Sequence, residues 1–278
     1  MPPSSSSRSS SKSNNKAKKM GKFDGKTVIV TGSSSGMGQT IAVRFATEGA
    51  NVMLHGRDEK GIKATLDLIA KHKKGSTDRV SYVLGPLEKE KTLEDIVSKT
   101  IEKFKRIDIL VNAAGIGAKP GADFQSMENF DFIMAVNCRA PVQLALFCVP
   151  HLEKTKGCII NISSIASVIT SVMMPFYSMA KAALDMFTKN YAVILGPKGI
   201  RVNSLNPGLV RTGFQSRMAP NAPAKDMQTY IDNFEKNGIP IGRSGNTEEM
   251  ADSVVYLATA NFMTGALLIH DGGATLKH

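Results

Sequence analysis

The chain has 278 residues, of which 42% are hydrophobic and 21% are charged, and this composition supports a sizeable buried core. The longest uninterrupted apolar runs fall short of the roughly 18 to 20 residues of a membrane-spanning helix, and no apolar stretch follows the N-terminus as in a secretory signal, so we expect a soluble protein with no membrane span. The formal net charge is +11, but residues 1–22 contain six basic residues and no acid, which leaves +5 on the other 256 residues. Nucleic-acid binding is therefore not expected.

The first 22 residues are rich in Ser and Lys. Residues 2–15 contain no apolar side chain, so they are unable to bury enough surface to offset the entropy lost on ordering. We predict a disordered basic tail over residues 1–22 and a single domain over 23–278. The tail lacks the periodic apolar face of an organellar targeting segment, so a cytoplasmic location is favoured and organellar targeting stays as the alternative.

From residue 26 onward, short apolar runs alternate with stretches of helical periodicity, which is the pattern of a parallel sheet with helices on both faces. Strands are predicted at 27–31, 51–54, 80–84, 109–112, 158–162, 201–205 and 266–269. Helices are predicted at 37–48, 61–73, 92–104, 127–152, 177–195 and 247–258. This pattern predicts an α/β fold with a single doubly wound (Rossmann-type) domain of about seven parallel strands. Residues 211–245 are polar and contain three prolines, and we interpret them as a lid; an idle surface loop is the alternative.

A glycine-rich turn follows the first predicted strand, with Gly32, Gly36 and Gly38 between that strand and the first helix. Gly32 permits a tight turn, Gly36 lets the backbone approach a pyrophosphate, and Gly38 allows close packing of the helix. The free N–H groups and the positive end of the helix attract the anion. The arrangement favours a dinucleotide site over a plain strand-to-helix turn.

The end of the second strand indicates which dinucleotide is bound. An acid there holds the free ribose 2′-hydroxyl of NAD, whereas a basic group holds the 2′-phosphate of NADP. Arg57 follows Gly56, and the nearest carboxylates, Asp58 and Glu59, are expected to start the next helix. A guanidinium binds phosphate bidentately, so NADP is favoured and NAD is the less favoured alternative.

Tyr177 and Lys181 lie four residues apart in a helical pattern, which places a phenol and an ammonium on one face. A phenol has an unperturbed pKa of about 10, and a neighbouring cation favours its ionised form. Ser163 and Ser164 end an apolar strand at the edge of the sheet where sites form, so a hydroxyl there is placed to hydrogen-bond a substrate oxygen.

In order along the chain, these motifs resemble the short-chain dehydrogenase/reductase family. The resemblance covers residues 26 to about 273 and is carried by the following residues: TGxxxGxG at 31–38, Asn112-Ala113-Ala114-Gly115, Asn137, Ser164, Tyr177 with Lys181, Asn206-Pro207-Gly208, Thr264-Gly265 and Asp271-Gly272-Gly273. It implies that 23–278 is a dinucleotide-binding catalytic domain.

The resemblance implies a role for each matching residue. Tyr177 is the proton donor or acceptor, Lys181 holds the nicotinamide ribose and lowers the phenol's pKa, Ser164 orients the carbonyl, and Asn137 positions a water that links Lys181 to solvent. The cofactor-binding residues that it implies, together with Tyr177 and Lys181, are Gly32, Ser34, Ser35, Gly36, Met37, Gly38, Arg57, Asn112, Ala113, Gly115, Pro207, Gly208, Val210 and Thr212. Within this set, the segment from Pro207 to Thr212 seats the nicotinamide amide.

Two positions depart from the family pattern. Where the family usually has an Asp that contacts adenine, this chain has Pro86, which lacks the carboxylate for that contact. Ser35 stands where NADP-specific members often have a basic residue, so binding of the 2′-phosphate would depend mainly on Arg57.

The predicted reaction is hydride transfer between a nicotinamide and a carbonyl or secondary alcohol. Several apolar residues precede Tyr177 and suit an apolar substrate pocket and a subunit interface equally: Val168, Ile169, Val172, Met173 and Met174. An apolar ketone, a steroid-like or acyl-chain substrate, or a quinone fits this pattern better than a small sugar does.

Two alternatives are kept. One is a 3-oxoacyl-thioester reductase, for which Arg217, Lys225 and Lys236 would hold an acidic carrier. The other is a catalytically silent nucleotide-binding scaffold, which the intact set of Asn137, Ser164, Tyr177 and Lys181 disfavours.

The cysteines and histidines suggest no further site. Cys138, Cys148 and Cys158 form no CxxC pair, so neither a disulfide framework nor a zinc site is supported. The five histidines show no ligand spacing, and we predict no metal. The family resemblance implies a homotetramer or homodimer through the two long helices at 127–152 and 177–195.

Overall fold

The computed structural model describes residues 21–72, 76–215 and 224–277. Most of the predicted tail, Arg217 and residues 216–223 of the predicted lid lie outside these ranges. Within them, seven parallel strands form one sheet in the order β3-β2-β1-β4-β5-β6-β7. The strands are β1 (Thr27–Val30), β2 (Asn51–Gly56), β3 (Val80–Leu84), β4 (Ile109–Asn112), β5 (Cys158–Ile162), β6 (Arg201–Pro207) and β7 (Leu267–His270). The doubly wound fold predicted from the alternating pattern is confirmed.

The described helices connect successive strands. They are α1 (Gly36–Thr47), α2 (Glu59–His72), α3 (Glu90–Phe104), α4 (Met127–Met134), α5 (Ala140–Thr155), α6 (Pro175–Leu195), α7 (Ala224–Gly238) and α8 (Thr247–Thr259). The strands predicted at 80–84, 109–112 and 158–162 are confirmed with the same bounds, and the other predicted boundaries lie within three residues of the observed ones, because capping residues and the last turn of a helix carry little apolar periodicity. The helix predicted at 127–152 is divided into α4 and α5. The segment interpreted as a lid contains α7, which corresponds to the short helical pattern between its prolines.

Each face of the sheet carries its own apolar core. On one face, α1, α2 and α8 bury side chains such as Phe45, Ile62 and Val254 against β1, β2 and β4. On the other face, α3, α5 and α6 bury side chains such as Ile96 and Leu184. Because both faces are covered, the strands read as continuous apolar runs rather than as alternating ones.

The buried carboxylate of Asp108 joins the two central strands, β1 and β4, at their amino ends. Asp108 accepts a hydrogen bond from the Thr27 backbone N–H at 2.9 Å. The Arg106 guanidinium donates to both of its oxygens at 2.7 Å, and the Lys26 ammonium lies 3.2 Å away. The start of β1 is therefore held beside the start of β4.

The helical stretch Met127–Thr155 corrects one expectation. Among the described residues, this stretch is long and apolar enough to cross a membrane, judged by length and composition. The length of the uninterrupted apolar runs in the sequence had not revealed it. In the structure it packs against α3 and α6, with Leu144, Cys148 and Leu152 fully buried in the core. This packing is that of a core helix, which passes the same test.

Candidate active site

The site lies where the strand order reverses, at the carboxyl ends of β1 and β4. From β1 the chain proceeds outward to β2 and β3, and then returns to β4 on the other side of β1. Loops at such a switch point diverge and leave a crevice. Here the crevice is a cavity of about 720 Å³ that extends from the glycine-rich turn to Tyr177 and the lid.

The glycine-rich turn has the backbone geometry predicted for it. Gly32 and Gly36 have φ angles of 67° and 57°, which favour glycine. A Cβ on Gly32 would lie 2.7 Å from the Ala114 Cα, and one on Gly38 would lie 2.3 Å from the Gly32 carbonyl oxygen. Ser35 is the N-cap of α1, but its side chain caps none of the helix N–H groups, so these groups are available to an anion. The turn thus fits the pyrophosphate of a dinucleotide.

The His55 side chain contacts the backbone of this turn, a role that sequence analysis missed. Its ring is buried, with Nδ1 3.5 Å from the Gly32 backbone nitrogen and Nε2 3.0 Å from the Gly85 carbonyl oxygen. Burial lowers the pKa of His55 to about 4, so the ring is neutral near pH 7 and is able to accept at Nδ1 while it donates from Nε2. No motif signals this role, because the contact joins the ends of three strands.

The end of β2 presents a basic group to the cavity. Arg57 is exposed and lines the cavity, as do Ser34, Ser35 and Met37. Asp58 also lines it, but its two carboxylate oxygens accept hydrogen bonds from the Lys60 and Gly61 N–H groups at 3.0 and 2.9 Å, which start α2 as expected. Farther along this edge, Leu87 and Glu88 line the cavity next to the unusual Pro86.

Two of the predicted site asparagines, Asn112 and Asn137, are buried and hydrogen-bond to other parts of the chain. The Asn112 side-chain amide donates to the Asn161 side chain at 2.9 Å and joins β4 to β5, whereas Ala113 and Gly115 line the cavity. Asn137 is fully buried in a π-helical turn, Ala135–Arg139, between α4 and α5. Its side chain accepts from the Ile116 N–H at 2.9 Å and donates to the Ile116 carbonyl oxygen at 2.8 Å. π-Turns of this kind occur often at functional sites.

Tyr177, Ser164 and Lys181 meet at the centre of the cavity. Tyr177 is only 7% exposed, and burial raises its pKa to about 12, which a hydrogen bond with Ser164 partly counteracts. The Lys181 ammonium lies 5.5 Å from the centre of the Tyr177 ring and donates to the Ile162 carbonyl oxygen at 2.7 Å. Burial lowers the pKa of Lys181 to about 8. Burial therefore dominates the pKa of the phenol in this structure, and the opposing effect comes from Ser164 rather than from the charge of Lys181.

A buried polar network behind Lys181 also escaped sequence analysis. Asp185, one turn after Lys181 on α6, accepts from the Ser204 hydroxyl at 3.1 Å and from the Asn206 amide at 2.7 Å. Its negative charge raises the pKa of Lys181 against the effect of burial. The four-residue spacing of Lys181 and Asp185 was the available signal, since it places both on one helix face.

The segment after β6 closes the cofactor end. Pro207, Gly208, Val210 and Thr212 all line the cavity, as predicted. A Cβ on Gly36 would lie 3.5 Å from the Thr212 Cβ, so the glycine-rich turn and this segment face each other closely. Gln215, which sequence analysis did not single out, is buried beside them.

Apolar residues border the substrate end of the cavity. Ile169, Val172, Met173 and Met174 line it on one side, but Val172 and Met173 are 90% and 61% exposed, and Val168, at 52%, is not among the lining residues. The lid covers the other side with Phe214, Met227, Tyr230 and Phe234. Of the five apolar residues before Tyr177, four therefore border the pocket, and two of these are also largely open to solvent.

Ion pairs hold the lid in place. The Arg211 side chain donates to both carboxylate oxygens of Glu235 on α7, and the Glu235 carboxylate also accepts from the backbone N–H and the hydroxyl of Ser244. These contacts lower the pKa of Glu235 to about 2. The start, the middle and the end of the lid are thus joined at one carboxylate.

Comparison with known proteins agrees with this geometry. Residues 32–275 match the family model described as Enoyl-(Acyl carrier protein) reductase. The chain is 37% identical over 257 residues to an uncharacterized oxidoreductase of Thermotoga maritima, which covers 91% of this chain and 98% of that protein. The chain belongs to the short-chain dehydrogenase/reductase family, and it is an oxidoreductase that acts on CH–OH or C=O groups with a nicotinamide cofactor.

Solved structures show the same relationship. A Caenorhabditis elegans short-chain dehydrogenase/reductase of unknown function, solved with cofactor, superposes with a TM-score of 0.85 at 35% identity and covers 92% of this chain and 97% of its own. L-Sorbose reductase of Gluconobacter frateurii, complexed with NADPH and L-sorbose, superposes with a TM-score of 0.81 at 31% identity, covering 92% and 98%. The fold around the site is therefore that of the family.

Proposed function

We propose that the protein is an NADP(H)-dependent oxidoreductase that transfers hydride between the nicotinamide and the carbonyl or secondary alcohol carbon of an apolar substrate. The observation that carries this proposal is the position of the Tyr177 phenol. It is buried, hydrogen-bonded to Ser164, and located between a dinucleotide cradle and an apolar pocket in one continuous cavity.

In the proposed reaction, each residue of the site has a separate role. The nicotinamide supplies or accepts the hydride when it is bound. With its pKa at about 12, Tyr177 is protonated at neutral pH and is poised to give its proton to a carbonyl oxygen. Ser164 holds that oxygen by a hydrogen bond, and Lys181 places a positive charge beneath the phenol, which favours the phenolate that forms. Asn137 positions the loop at Ile116 that lies beside Lys181.

The preference for NADP is supported by the end of β2. Arg57 is exposed and lines the cavity, whereas the Asp58 carboxylate already accepts hydrogen bonds from two N–H groups at the first turn of α2. A guanidinium is the better partner for a 2′-phosphate. The Gluconobacter relative was solved with NADPH.

The proposed substrate class follows from the lining of the pocket. A sugar needs a hydrogen-bond partner for most of its hydroxyl groups, because a buried polar group without a partner destabilises the complex. The walls beyond Tyr177 consist mainly of Ile, Val, Met and Phe side chains. An apolar ketone, a steroid-like molecule or a quinone suits such walls better.

The test is oxidation of NADPH against NADH, followed at 340 nm, with a panel of apolar ketones, diketones, quinones, sugars and oxoacyl thioesters. We expect turnover with NADPH and an apolar carbonyl. Binding of NADPH without turnover of any member would favour a catalytically silent scaffold, and preferential turnover of sugars would overturn the proposed substrate class.

A second candidate is a 3-oxoacyl-thioester reductase. A Thermotoga maritima relative that is 30% identical over 259 residues is named 3-oxoacyl-[acyl-carrier-protein] reductase, and this favours it. Lys225 and Lys236 are exposed on α7. Arg217, the third basic residue proposed for an acidic carrier, lies outside the described residues. Activity on carrier-bound thioesters that falls on K225E/K236E, with free ketones unaffected, would identify this function.

Assembly and location complete the proposal. Apolar side chains are exposed along α6 at Met179, Met186, Val193 and Ile194, which suits a homodimer or homotetramer through this helix. The three cysteines are free thiols, as expected in the cytoplasm. Size-exclusion chromatography with light scattering tests the assembly; a monomer at micromolar concentration would overturn it.

A further inference from the structure

A primary carboxamide of the chain itself lies in the cofactor end of the cavity. Gln215 is 7% exposed and lines the cavity. Its Nε2 donates to the Val210 carbonyl oxygen at 2.6 Å, and its Oε1 accepts from the Thr212 backbone N–H at 3.1 Å. The Thr212 hydroxyl lies 3.5 Å from the same oxygen. One carboxamide thus meets a backbone acceptor and a backbone donor two residues apart.

The direction of these backbone groups is set by a short strand pairing. Gly245 donates to the Leu209 carbonyl oxygen at 2.9 Å, and its own carbonyl oxygen accepts from Arg211 at 3.3 Å. Because groups alternate along an extended chain, the Val210 carbonyl oxygen faces the opposite side, toward the cavity. There it presents an acceptor to whichever carboxamide occupies the position.

A nicotinamide carries the same functional group as a glutamine side chain, namely a primary carboxamide with one acceptor oxygen and two donor hydrogens. The segment from Pro207 to Thr212 is the one assigned above to the nicotinamide amide. We propose that Gln215 occupies the carboxamide subsite of this segment as an internal substitute, and that a bound nicotinamide has to displace it. This inference rests on the proposed function, since it assumes that a nicotinamide binds here.

Displacement of Gln215 would also be felt at the reacting centre. Phe214, the residue before it, contacts the Tyr177 ring at a centroid distance of 5.7 Å. Seating of the nicotinamide is therefore coupled to a shift of the start of the lid next to the phenol.

The test compares ligands with and without a nicotinamide. In Q215M the side chain keeps its length and loses both hydrogen bonds. We expect NADPH to bind roughly threefold to tenfold tighter to this variant, because one or two neutral hydrogen bonds no longer have to be broken. Binding of 2′,5′-ADP, which has no nicotinamide, should be unchanged. Q228M, which alters an exposed glutamine on α7 that donates to Asp232 at 2.6 Å, should change neither affinity.

A measurement on the unaltered protein is independent of how the variant folds. With ¹⁵N-labelled glutamine, the Gln215 side-chain amide, assigned by its absence in Q215M, should be protected from hydrogen exchange. It should lose protection on addition of NADPH and keep it on addition of 2′,5′-ADP.

The outcomes separate the two proposals. Equal or weaker NADPH binding by Q215M, or protection that survives NADPH, would overturn the role of Gln215 while leaving the oxidoreductase proposal intact. Failure of both proteins to bind NADPH would overturn both proposals. If only Q215M binds NADPH, Gln215 is the internal occupant and blocks the subsite almost completely.

Discussion

The two ends of the cavity are built in different ways. The cofactor end consists of strand ends and glycine-rich turns, where Gly32 and Gly38 have no room for a Cβ, together with the side chain of Arg57. The substrate end consists of side chains from the loop after β5 and from the lid, such as Met174 and Phe234. A backbone site tolerates little change, whereas a side-chain site can be altered one residue at a time. The comparison predicts that substitutions at the two ends have separable effects.

The largest effect is expected at Tyr177, where the two ends meet. Tyr177→Phe removes the proton transfer and should lower kcat by about 100-fold or more, since general acid catalysis typically contributes that much. The Kd for NADPH should change less than about twofold, because Phe keeps the aromatic ring and removes only the hydroxyl, one neutral hydrogen-bonding group. Reduction of the substrate, followed by stopped flow, measures kcat, and fluorescence titration with NADPH measures Kd. Unchanged kcat would remove Tyr177 from the chemistry.

At the cofactor end, His55→Gln should change how stability depends on pH. The folded-state pKa of about 4 lies below the ordinary 6.5, so the neutral ring favours the fold. Its contribution is complete above pH 6.5 and is lost as the pH falls toward 4, by about 3 kcal/mol in total. Urea unfolding between pH 7 and 4 should show this loss in the wild type and not in the variant. His72→Gln, at the exposed end of α2, should behave as the wild type.

Arg57→Gln tests the choice of dinucleotide at the same end. Loss of a charged hydrogen-bond donor to the 2′-phosphate should weaken NADPH binding by about tenfold or more and leave NADH binding unchanged. Lys71→Gln removes an exposed charge at the far end of α2 and is the matched control. A parallel loss of affinity for both cofactors would show that Arg57 does not read the 2′-phosphate.

Phe234→Ala tests the substrate end. Removal of this ring from the lid should raise KM for an apolar substrate by roughly tenfold, given about 1.5 kcal/mol or more for burial of an aromatic side chain. The Kd for NADPH should stay the same. Phe262→Ala removes a ring that is fully exposed and should affect neither quantity. If the NADPH affinity of Phe234→Ala fell as much as its substrate affinity, the two ends would not be separable.

The smallest effect is expected at Asp185, in the buried polar network behind Lys181. Lys181 is charged below its pKa of about 8 and neutral above it, so reduction should decline on the alkaline side of that pH. Asp185→Asn removes the charge that raises this pKa, and the decline should move to lower pH by up to about one unit. Asp226→Asn, which changes an exposed acid on α7, should leave the pH profile in place. A shift to higher pH would contradict this electrostatic role.

The two ends also differ in how far they were predictable. Gly32, Gly36 and Gly38 could be predicted because a turn that admits only glycine requires glycines at a fixed spacing in the sequence. Arg57, Ser164 and Tyr177 were readable because each lies at the end of a predicted strand or at helical spacing.

What escaped prediction depends on contacts between distant elements. His55 joins Gly32 to Gly85, and Glu235 joins Arg211 to Ser244; neither pairing has a local pattern. Asn112 was assigned to the cofactor but bonds Asn161, since either face of the strand end suits an amide. The apolar residues before Tyr177 were divided between pocket and interface because periodicity alone does not show which surface an exposed apolar residue meets.

The order of the strands has a consequence for how the chain folds. β1 pairs with β2, which follows it closely, but its other neighbour is β4, and the Thr27–Asp108 hydrogen bond spans 81 residues. Such distant parallel pairing is slow, because a long loop has to close before its contacts form. Until β4 arrives, the β1 edge stays open to other chains, so refolding from denaturant should be limited by aggregation at this edge and should improve with dilution.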